Sequence, residues 1–183
     1  MRIVGKKIVS YEEIDSTSDE AKRLIAKGGS EGFVVVADSQ TKGRGKPGNN
    51  WFSPPGVGLY FSLVIKPLRN PADLGLITMV GAKAVVDAIK ELTGLTPTIK
   101  KPNDVLINGK KVAGILTERL ANGHLIIGIG LNVNHQPAVF PENIAATATS
   151  LLIETGNNLA IEAVQACLLA RLDDRYLEYL ARI

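Results

Sequence analysis

The spacing of apolar side chains predicts strands and helices in turn along the first half of the chain. Residues 6–14 have the pattern of a short strand, and residues 16–29 place serine and threonine ahead of acidic residues and end in glycine, which predicts a capped helix. β-Branched apolar runs at residues 32–40 and 58–67 predict two buried strands. Residues 71–92 begin with a proline and repeat apolar side chains every three or four positions, which predicts the longest helix of this half.

The second half of the chain predicts antiparallel strands followed by a terminal helix. Residues 96–134 contain several β-rich runs separated by Asn-Gly pairs at Asn108 and Asn122, and such pairs favour tight hairpin turns because they accept positive φ angles. Residues 135–150 show no regular pattern, and a helical pattern runs from about Leu159 to the end of the chain. Hairpin strands with helices between them predict an α+β fold, in which helices cover one face of a mixed, largely antiparallel sheet.

The composition limits the classes of protein to which the chain can belong. With 183 residues, 45% of them hydrophobic, the chain can form a substantial core, so we expect one domain over residues 1–183. The net charge is only +3, and the basic residues are scattered along the sequence and form no long run, which argues against a nucleic-acid partner. We expect a cytoplasmic protein with no membrane partner, because the sequence has no signal-peptide pattern and no run of about 20 apolar residues. The single cysteine, Cys167, excludes an intrachain disulfide and is expected in the core.

Residues 41–56, hereafter the glycine loop, are rich in glycine, proline and basic side chains. Glycines lack Cβ atoms and let backbone N–H groups converge on a ligand, and the neighbouring positive charges favour a phosphate or a carboxylate. The spacing matches neither a P-loop nor a dinucleotide-binding motif. Taken alone, the segment is more typical of a flexible, charged surface loop. Its glycine and basic residues near the start are Lys42, Gly43, Arg44, Gly45, Lys46 and Gly48.

Polar side chains also stand within or beside predicted strands. Lys111 alternates with Ala113 and Ile115, so we expect the three side chains on one face of a strand. A lysine on an apolar face either extends its ammonium past the sheet edge or pairs it with an anionic ligand. Asn132 and Asn134 follow another buried strand and offer hydrogen-bond donors and acceptors at its end, where turn residues are also common.

Five segments stand in order between about Tyr11 and Asn134: DSTSDEAK, SQTKGRGKPGNNWFSPPG, KKPNDV, GKKVAGILTE and IGIGLNVN. In order and spacing they resemble the catalytic domain of the biotin–protein ligases, in the biotin/lipoate ligase superfamily. The resemblance implies a class II synthetase-like fold and a reaction in two steps. Biotin first reacts with ATP, supplied with Mg²⁺, to give biotinyl-5′-AMP, and a lysine of a biotin carboxyl carrier protein then accepts the biotinyl group. The resemblance leaves homodimerisation open and identifies no metal ligands.

The resemblance implies roles for residues at matching positions. Lys111 and Arg44 match catalytic residues, with Lys111 between the biotin carboxylate and the α-phosphate, where an ammonium offsets the repulsion of two anions. Trp51 matches an aromatic residue on the adenine side, and the glycine loop is expected to be mobile without ligand and to close over it. The positions that match biotin contacts are Ser16, Thr17, Gln40, Gly43, Arg44, Lys111, Gly114 and Leu116. The positions that match ATP or adenylate contacts are Gly45, Lys46, Trp51, Asn103, Lys111 and Asn132.

The sequence departs from the family pattern at three positions. Lys46 stands in place of an arginine, Asn49 in place of another basic residue, and Lys101 in place of a tryptophan. Because lysine offers a point charge instead of a bidentate fork, we expect weaker retention of the adenylate. We also expect neither an N-terminal helix-turn-helix nor a C-terminal β-barrel domain. Two alternative functions stay open: a lipoate or octanoate ligase of the same superfamily, and a non-catalytic module that binds biotin or biotinyl-AMP.

Overall fold

The computed structural model describes residues 2–68 and 71–182. Strands and helices follow one another largely in the predicted order, and the strands form one seven-stranded sheet. The strands are β1 (Lys7–Ile14), β2 (Phe33–Gln40), β3 (Gly58–Ile65), β4 (Thr98–Lys100), β5 (Asp104–Ile107), β6 (Lys110–Arg119) and β7 (Leu125–Asn132). The helices are α1 (Thr17–Ala26), α2 (Gly75–Thr93), α3 (Glu142–Ala145), α4 (Leu151–Thr155) and α5 (Ile161–Leu180), and a 3₁₀ turn spans Pro137–Val139.

The sheet is mixed and largely antiparallel, which confirms the predicted fold class. Its strand order is β1-β2-β3-β7-β6-β5-β4, and β1 and β2 run parallel because α1 connects them. The β5–β6 hairpin turns at Asn108 and Gly109, whose φ angles of 50° and 79° confirm the prediction for this Asn-Gly pair. In the β6–β7 turn, Gly123 has a positive φ angle of 86°, but Asn122 does not.

Helices pack on both faces of the sheet, so the predicted cover of one face is wrong. Neighbouring residues of β2 point to opposite faces: Val34 packs in the larger core with α2 and α5, whereas Val35 packs with Ala21 and Ile25 of α1. The crossover between the parallel strands carries α1 over the second face. The capping residues predict α1 itself, but they do not encode the side of the sheet on which a crossover runs.

A register shift in the β5–β6 hairpin changes the direction of Lys111. Successive residues of β5 pair with Ala113 and then with Lys111, so β6 carries one extra residue, Val112, between them. Ala113 and Ile115 belong to the larger core, whereas Lys111 lines a cavity on the opposite face. The prediction that Lys111 shares a face with Ala113 and Ile115 is therefore wrong, because the extra residue interrupts the alternation.

The predicted helix boundaries hold less well than the order of the helices. α2 begins at Gly75, four residues after Pro71, and the Asp73 carboxylate accepts a hydrogen bond from the Gly75 N–H at 2.7 Å. This bond satisfies one of the backbone donors at the helix start. α5 begins at Ile161, close to the predicted position. Residues 135–150 are irregular except for the 3₁₀ turn and α3, and α4 follows them without a predicted pattern.

Two expectations from composition concern burial and membranes. Cys167 lies on α5 and is partly buried against the larger core, where burial raises the pKa of its thiol. Within residues 2–68 and 71–182, no helix combines the length and the apolar character needed to cross a membrane.

Candidate active site

A cavity of about 340 Å³ lies on the face of the sheet that α1 covers only in part. Pockets for small-molecule ligands have volumes of about 300–1,000 Å³, so this cavity falls within their range. Strands β3, β6 and β7 form the floor of the cavity, and the glycine loop forms one wall. All the predicted site residues except Gly43 line it: Ser16, Thr17, Gln40, Arg44, Gly45, Lys46, Trp51, Asn103, Lys111, Gly114, Leu116 and Asn132.

Gly43 lies at the base of the glycine loop, where the two arms of the loop approach each other. A Cβ atom on Gly43 would come within 2.5 Å of the Trp51 carbonyl oxygen and 2.7 Å of Ser53 Oγ. The Gly43 carbonyl accepts a hydrogen bond from the Trp51 N–H at 2.8 Å. Gly43 therefore allows the loop to return closely to the sheet.

One end of the cavity carries hydroxyl and amide groups that bind one another. Ser16 and Thr17, at the start of α1, are both buried there. The Thr17 N–H donates to Gln40 Oε1 at 2.8 Å, and Gln40 Nε2 donates to Ser53 Oγ at 2.9 Å. Thr17 Oγ1 lies 2.9 Å from Ser62 Oγ of β3, and Ser62 is fully buried. These bonds hold the polar groups in place for a neutral ligand group that both donates and accepts hydrogen bonds. No motif identifies Ser62, and its only signal is a serine inside an apolar strand.

Lys111 and Arg44 are two of the cationic side chains that line the cavity. The Lys111 Nζ atom lies 2.6 Å from Asp104 Oδ1 and 5.3 Å from the centre of the Trp51 ring. Arg44 extends from the glycine loop, and its Nη2 atom lies 2.8 Å from Glu118 Oε2. An anion in the cavity would meet positive charge from the floor and from the loop. Asp104 falls in the KKPNDV motif, but its pairing with Lys111 depends on the hairpin register, which the motif does not reveal.

The indole of Trp51 packs directly on two glycines of the floor. A Cβ atom would lie 2.2 Å from the indole Nε1 if placed on Gly130, and 2.8 Å from its Cζ3 if placed on Gly114. The resemblance places Trp51 on the adenine side, and the structure places its ring over Gly114, which the resemblance assigns to biotin. Nε1 is buried and has no hydrogen-bond partner among the described residues. Buried donors are rarely left unpaired, which makes this N–H a candidate donor to a ligand oxygen.

A short segment, residues 147–149, borders the cavity beside Lys111. The backbone N–H and carbonyl of Lys111 bond to this segment at 2.7 and 2.9 Å. Asn132 Nδ2 donates to the Thr149 carbonyl at 2.9 Å, so Asn132 also holds the segment in place. Asn103 is buried, and its Oδ1 has no partner among the described residues. This oxygen is therefore an acceptor that a ligand could use.

A buried aromatic cluster supports the cavity wall where the glycine loop rejoins the sheet. The His135 ring stacks on Phe140 at 5.1 Å and lies 6.3 Å from Phe52, and both phenylalanines line the cavity. His135 Nε2 lies 3.2 Å from Tyr60 Oη. Burial lowers the pKa of His135 to about 4, so its ring is neutral near pH 7. No motif predicts this cluster.

The neighbouring Asn134 holds the backbone ahead of α5. Its Nδ2 donates to the Leu159 carbonyl at 2.8 Å, and its Oδ1 accepts from the Leu159 N–H at 3.0 Å.

The family match and the relatives agree with the resemblance seen in the motifs. The sequence model of the biotin/lipoate A/B protein ligase family matches residues 11–134. The bifunctional ligase/repressor BirA of Bacillus subtilis is 38% identical over 182 residues, which cover 97% of this chain and 56% of the relative. The biotin–acetyl-CoA-carboxylase ligase of Mycobacterium tuberculosis is 33% identical over 141 residues, which cover 75% of this chain and 51% of the relative. The chain thus spans about half the length of these curated relatives.

The fold also matches a solved structure. Biotin protein ligase from Aquifex aeolicus, in complex with biotin and ATP, superposes with a TM-score of 0.85 at 37% identity. The match covers 95% of this chain and 72% of that one. Sequence model, relatives and structure therefore agree, and the chain belongs to the biotin/lipoate A/B protein ligase family.

Proposed function

We propose that the chain is the catalytic part of a biotin–protein ligase. In the first step, a carboxylate oxygen of biotin attacks the α-phosphorus of ATP, which forms biotinyl-5′-AMP and releases pyrophosphate. In the second step, the amine of a lysine on a biotin carboxyl carrier protein attacks the acyl carbon. An amide forms, and AMP leaves.

The observation that carries this proposal is the content of one cavity. It has neutral hydroxyl and amide groups at one end, and it also contains the cationic side chains of Lys111 and Arg44. The ureido ring of biotin has one carbonyl and two N–H groups, which suit the end formed by Ser16, Thr17 and Gln40. The same cavity contains Lys111 and Arg44, whose positive charges suit the carboxylate at the other end of biotin. The similarity to the Aquifex aeolicus structure, which contains biotin and ATP, supports the same pair of substrates.

Lys111 and Arg44 are the catalytic residues in this proposal. The Lys111 ammonium offsets the repulsion between the carboxylate and the α-phosphate and stabilises the charge that develops on the phosphate, an effect of about 10²–10³ in rate for one such donor. Asp104 holds Lys111 until an anionic ligand reaches the ammonium. Asn103, Asn132 and Lys46 border the nucleotide in the same proposal.

Mg²⁺ enters with ATP in this scheme. Among residues 2–68 and 71–182, no cluster of three His, Cys, Asp or Glu side chains could hold a metal ion. Mg²⁺ needs only one or two protein carboxylates when phosphates and water complete its coordination. Asp104, a carboxylate that lines the cavity, fits that limited role.

One experiment separates the three candidate functions. The protein is incubated with biotin, Mg²⁺ and ATP labelled at the α-phosphate, and labelled biotinyl-AMP is the expected product. Addition of an unbiotinylated carrier protein should then release AMP and biotinylate one lysine. Lipoyl-AMP or octanoyl-AMP formed at a higher rate than biotinyl-AMP would favour the lipoate or octanoate ligase. Biotin binding without any adenylate would favour the non-catalytic module.

A further inference from the structure

A group of charged side chains beside the cavity binds the arginine of the glycine loop. Arg44 Nη2 lies 2.8 Å from Glu118 Oε2 and 3.0 Å from Asp19 Oδ1. The Lys22 ammonium contacts the same two carboxylates, at 2.9 Å from Glu118 and 3.2 Å from Asp19. These four residues, hereafter the Arg44 cluster, join the glycine loop to α1 and β6.

The cluster contacts the Arg44 guanidinium through one nitrogen atom. Nη2 makes both ion pairs, whereas Nε is buried and has no hydrogen-bond partner among the described residues. Arg44 lines the cavity, and its Nε donor is not used by the cluster. A freely moving arginine loses most of its rotamer freedom when it binds an anion, and an arginine that is already held loses less.

We propose that Asp19 and Glu118 are positioning residues that hold Arg44 at the cavity wall and thereby raise the affinity of the site for biotin. The inference rests on the proposed function, since it takes the carboxylate of biotin as the ligand of Arg44. Neither Asp19 nor Glu118 lines the cavity, so both act through the arginine.

Lys22 makes the arrangement compatible with an anionic ligand. Two carboxylates beside one arginine would leave a net negative charge near the cavity, which would repel a carboxylate. Lys22 balances this charge, because the cluster then contains two cations and two carboxylates. Exposure of the four side chains ranges from 23% to 35%, so each pair alone is weak and the shared contacts supply the restraint.

Trypsin digestion of the ligand-free protein reports how firmly the Arg44 cluster holds the Arg44 side chain. Cleavage after Arg44 requires the side chain to leave the cluster and enter the protease. We expect cleavage there to become about three-fold faster in Asp19→Asn and in Glu118→Gln, and about ten-fold faster in the double variant. Cleavage after Lys42, which is exposed in the same loop, is the internal reference and should keep its rate.

Equilibrium dialysis with biotin alone measures the consequence for affinity. Each single variant should raise the Kd for biotin about three-fold, and the double variant about ten-fold. In an Arg44→Ala background, Glu118→Gln should cause no further loss, because Glu118 acts through Arg44. Glu91→Gln is the matched control for charge: Glu91 pairs with Arg171 on the other face of the sheet, and its loss should leave both readouts at the parent value.

Several results would overturn the positioning role. Tighter biotin binding in the carboxamide variants would show that the carboxylates compete with the ligand. If Glu118→Gln raises the Kd for biotin as much in the Arg44→Ala background as in the parent, Glu118 does not act through Arg44. A parent protein that binds no biotin would refute the role as well. If instead the variants bind biotin more weakly but the parent forms no adenylate, the positioning proposal holds and the proposed ligase activity fails.

Discussion

The floor and the glycine loop border the same cavity but differ in how firmly the fold holds them. The floor strand β3 is buried along its whole length and pairs with a neighbour on each side. At the tip of the glycine loop, residues 46–50 are exposed, and the described contacts that hold residues 44–50 are a bridge between Arg44 and Asn50, a few backbone hydrogen bonds and the Arg44 cluster. Regions with few buried contacts open more easily than buried strands.

This difference assigns separate tasks to the two regions. In the proposed reaction, the sheet holds Lys111 and the glycines under Trp51 in fixed positions on the floor, whereas Arg44 acts from the loop. We expect the loop to control ligand entry and retention, since it can move without breaking the sheet. Substitutions on the floor should therefore have larger effects on reaction and binding than substitutions in the loop.

The largest effect is expected from the loss of the cation on the floor. Lys111→Ala should lower the rate of adenylate formation by about 10²–10³, because no other group on β6 supplies positive charge at the reacting anions. Thermal unfolding should stay close to that of the parent, since Lys111 contacts the cavity and not the core. Lys110→Ala, the exposed neighbour on the same strand, is the matched control. A parent-like rate in Lys111→Ala would show that the floor does not carry the chemistry.

The second effect tests the close contact between the floor and Trp51. In Gly130→Ala the new Cβ atom would lie 2.2 Å from the indole Nε1, so the ring must move. Overpacking of this kind costs about 1–3 kcal/mol of folding stability. Because the displaced indole borders the cavity, we also expect a Kd for biotin roughly ten-fold weaker. Fluorescence of Trp51, the single tryptophan, should report the displacement directly.

Gly128→Ala, two residues earlier on β7, provides the comparison for Gly130→Ala. Its Cβ atom would meet the Ser18 hydroxyl at 3.0 Å, and this side chain can adjust. We expect a smaller change in biotin binding and no change in Trp51 fluorescence. Equal losses in the two variants would mean that the position of the indole does not matter for binding.

The sequence predicts the floor strands well because their signal is local. Apolar runs mark β3 and β7, and the Asn-Gly pair at Asn108 marks the hairpin that leads into β6. The direction of Lys111 could not be predicted, because it depends on one extra residue in the register with β5. The partners of Arg44 lie 25 residues before it and 74 residues after it, so only the folded sheet brings them together. The motifs predict which residues line the cavity, but the roles of these residues in binding biotin and ATP stay predictions.

The glycine loop should respond to ligand more than the floor does. We expect the amides of residues 43–50 to exchange quickly without ligand and at least about ten-fold more slowly with biotin or biotinyl-AMP, since ligand contacts replace the missing apolar anchors. Amides of β7 serve as the reference and should stay protected in both states. Equal exchange of residues 43–50 in the two states would refute closure of the loop over the ligand, and the contrast between loop and floor with it.

The smallest effect concerns retention of the adenylate by Lys46. Lys46 is exposed at the mouth of the loop and lines the cavity, where an arginine would offer two parallel donors to a phosphate. Lys46→Arg should slow the release of trapped biotinyl-AMP about ten-fold, because the exchange of a point charge for a fork is worth about 1–2 kcal/mol. Slower release should also reduce stray labelling of a bystander protein such as albumin. Lys42→Arg makes the same exchange in the same loop away from the cavity, so its release rate should equal that of the parent. If Lys46→Arg also releases the adenylate at the parent rate, Lys46 does not contact the phosphate, and the loop retains its ligand through Arg44, Trp51 and backbone amides.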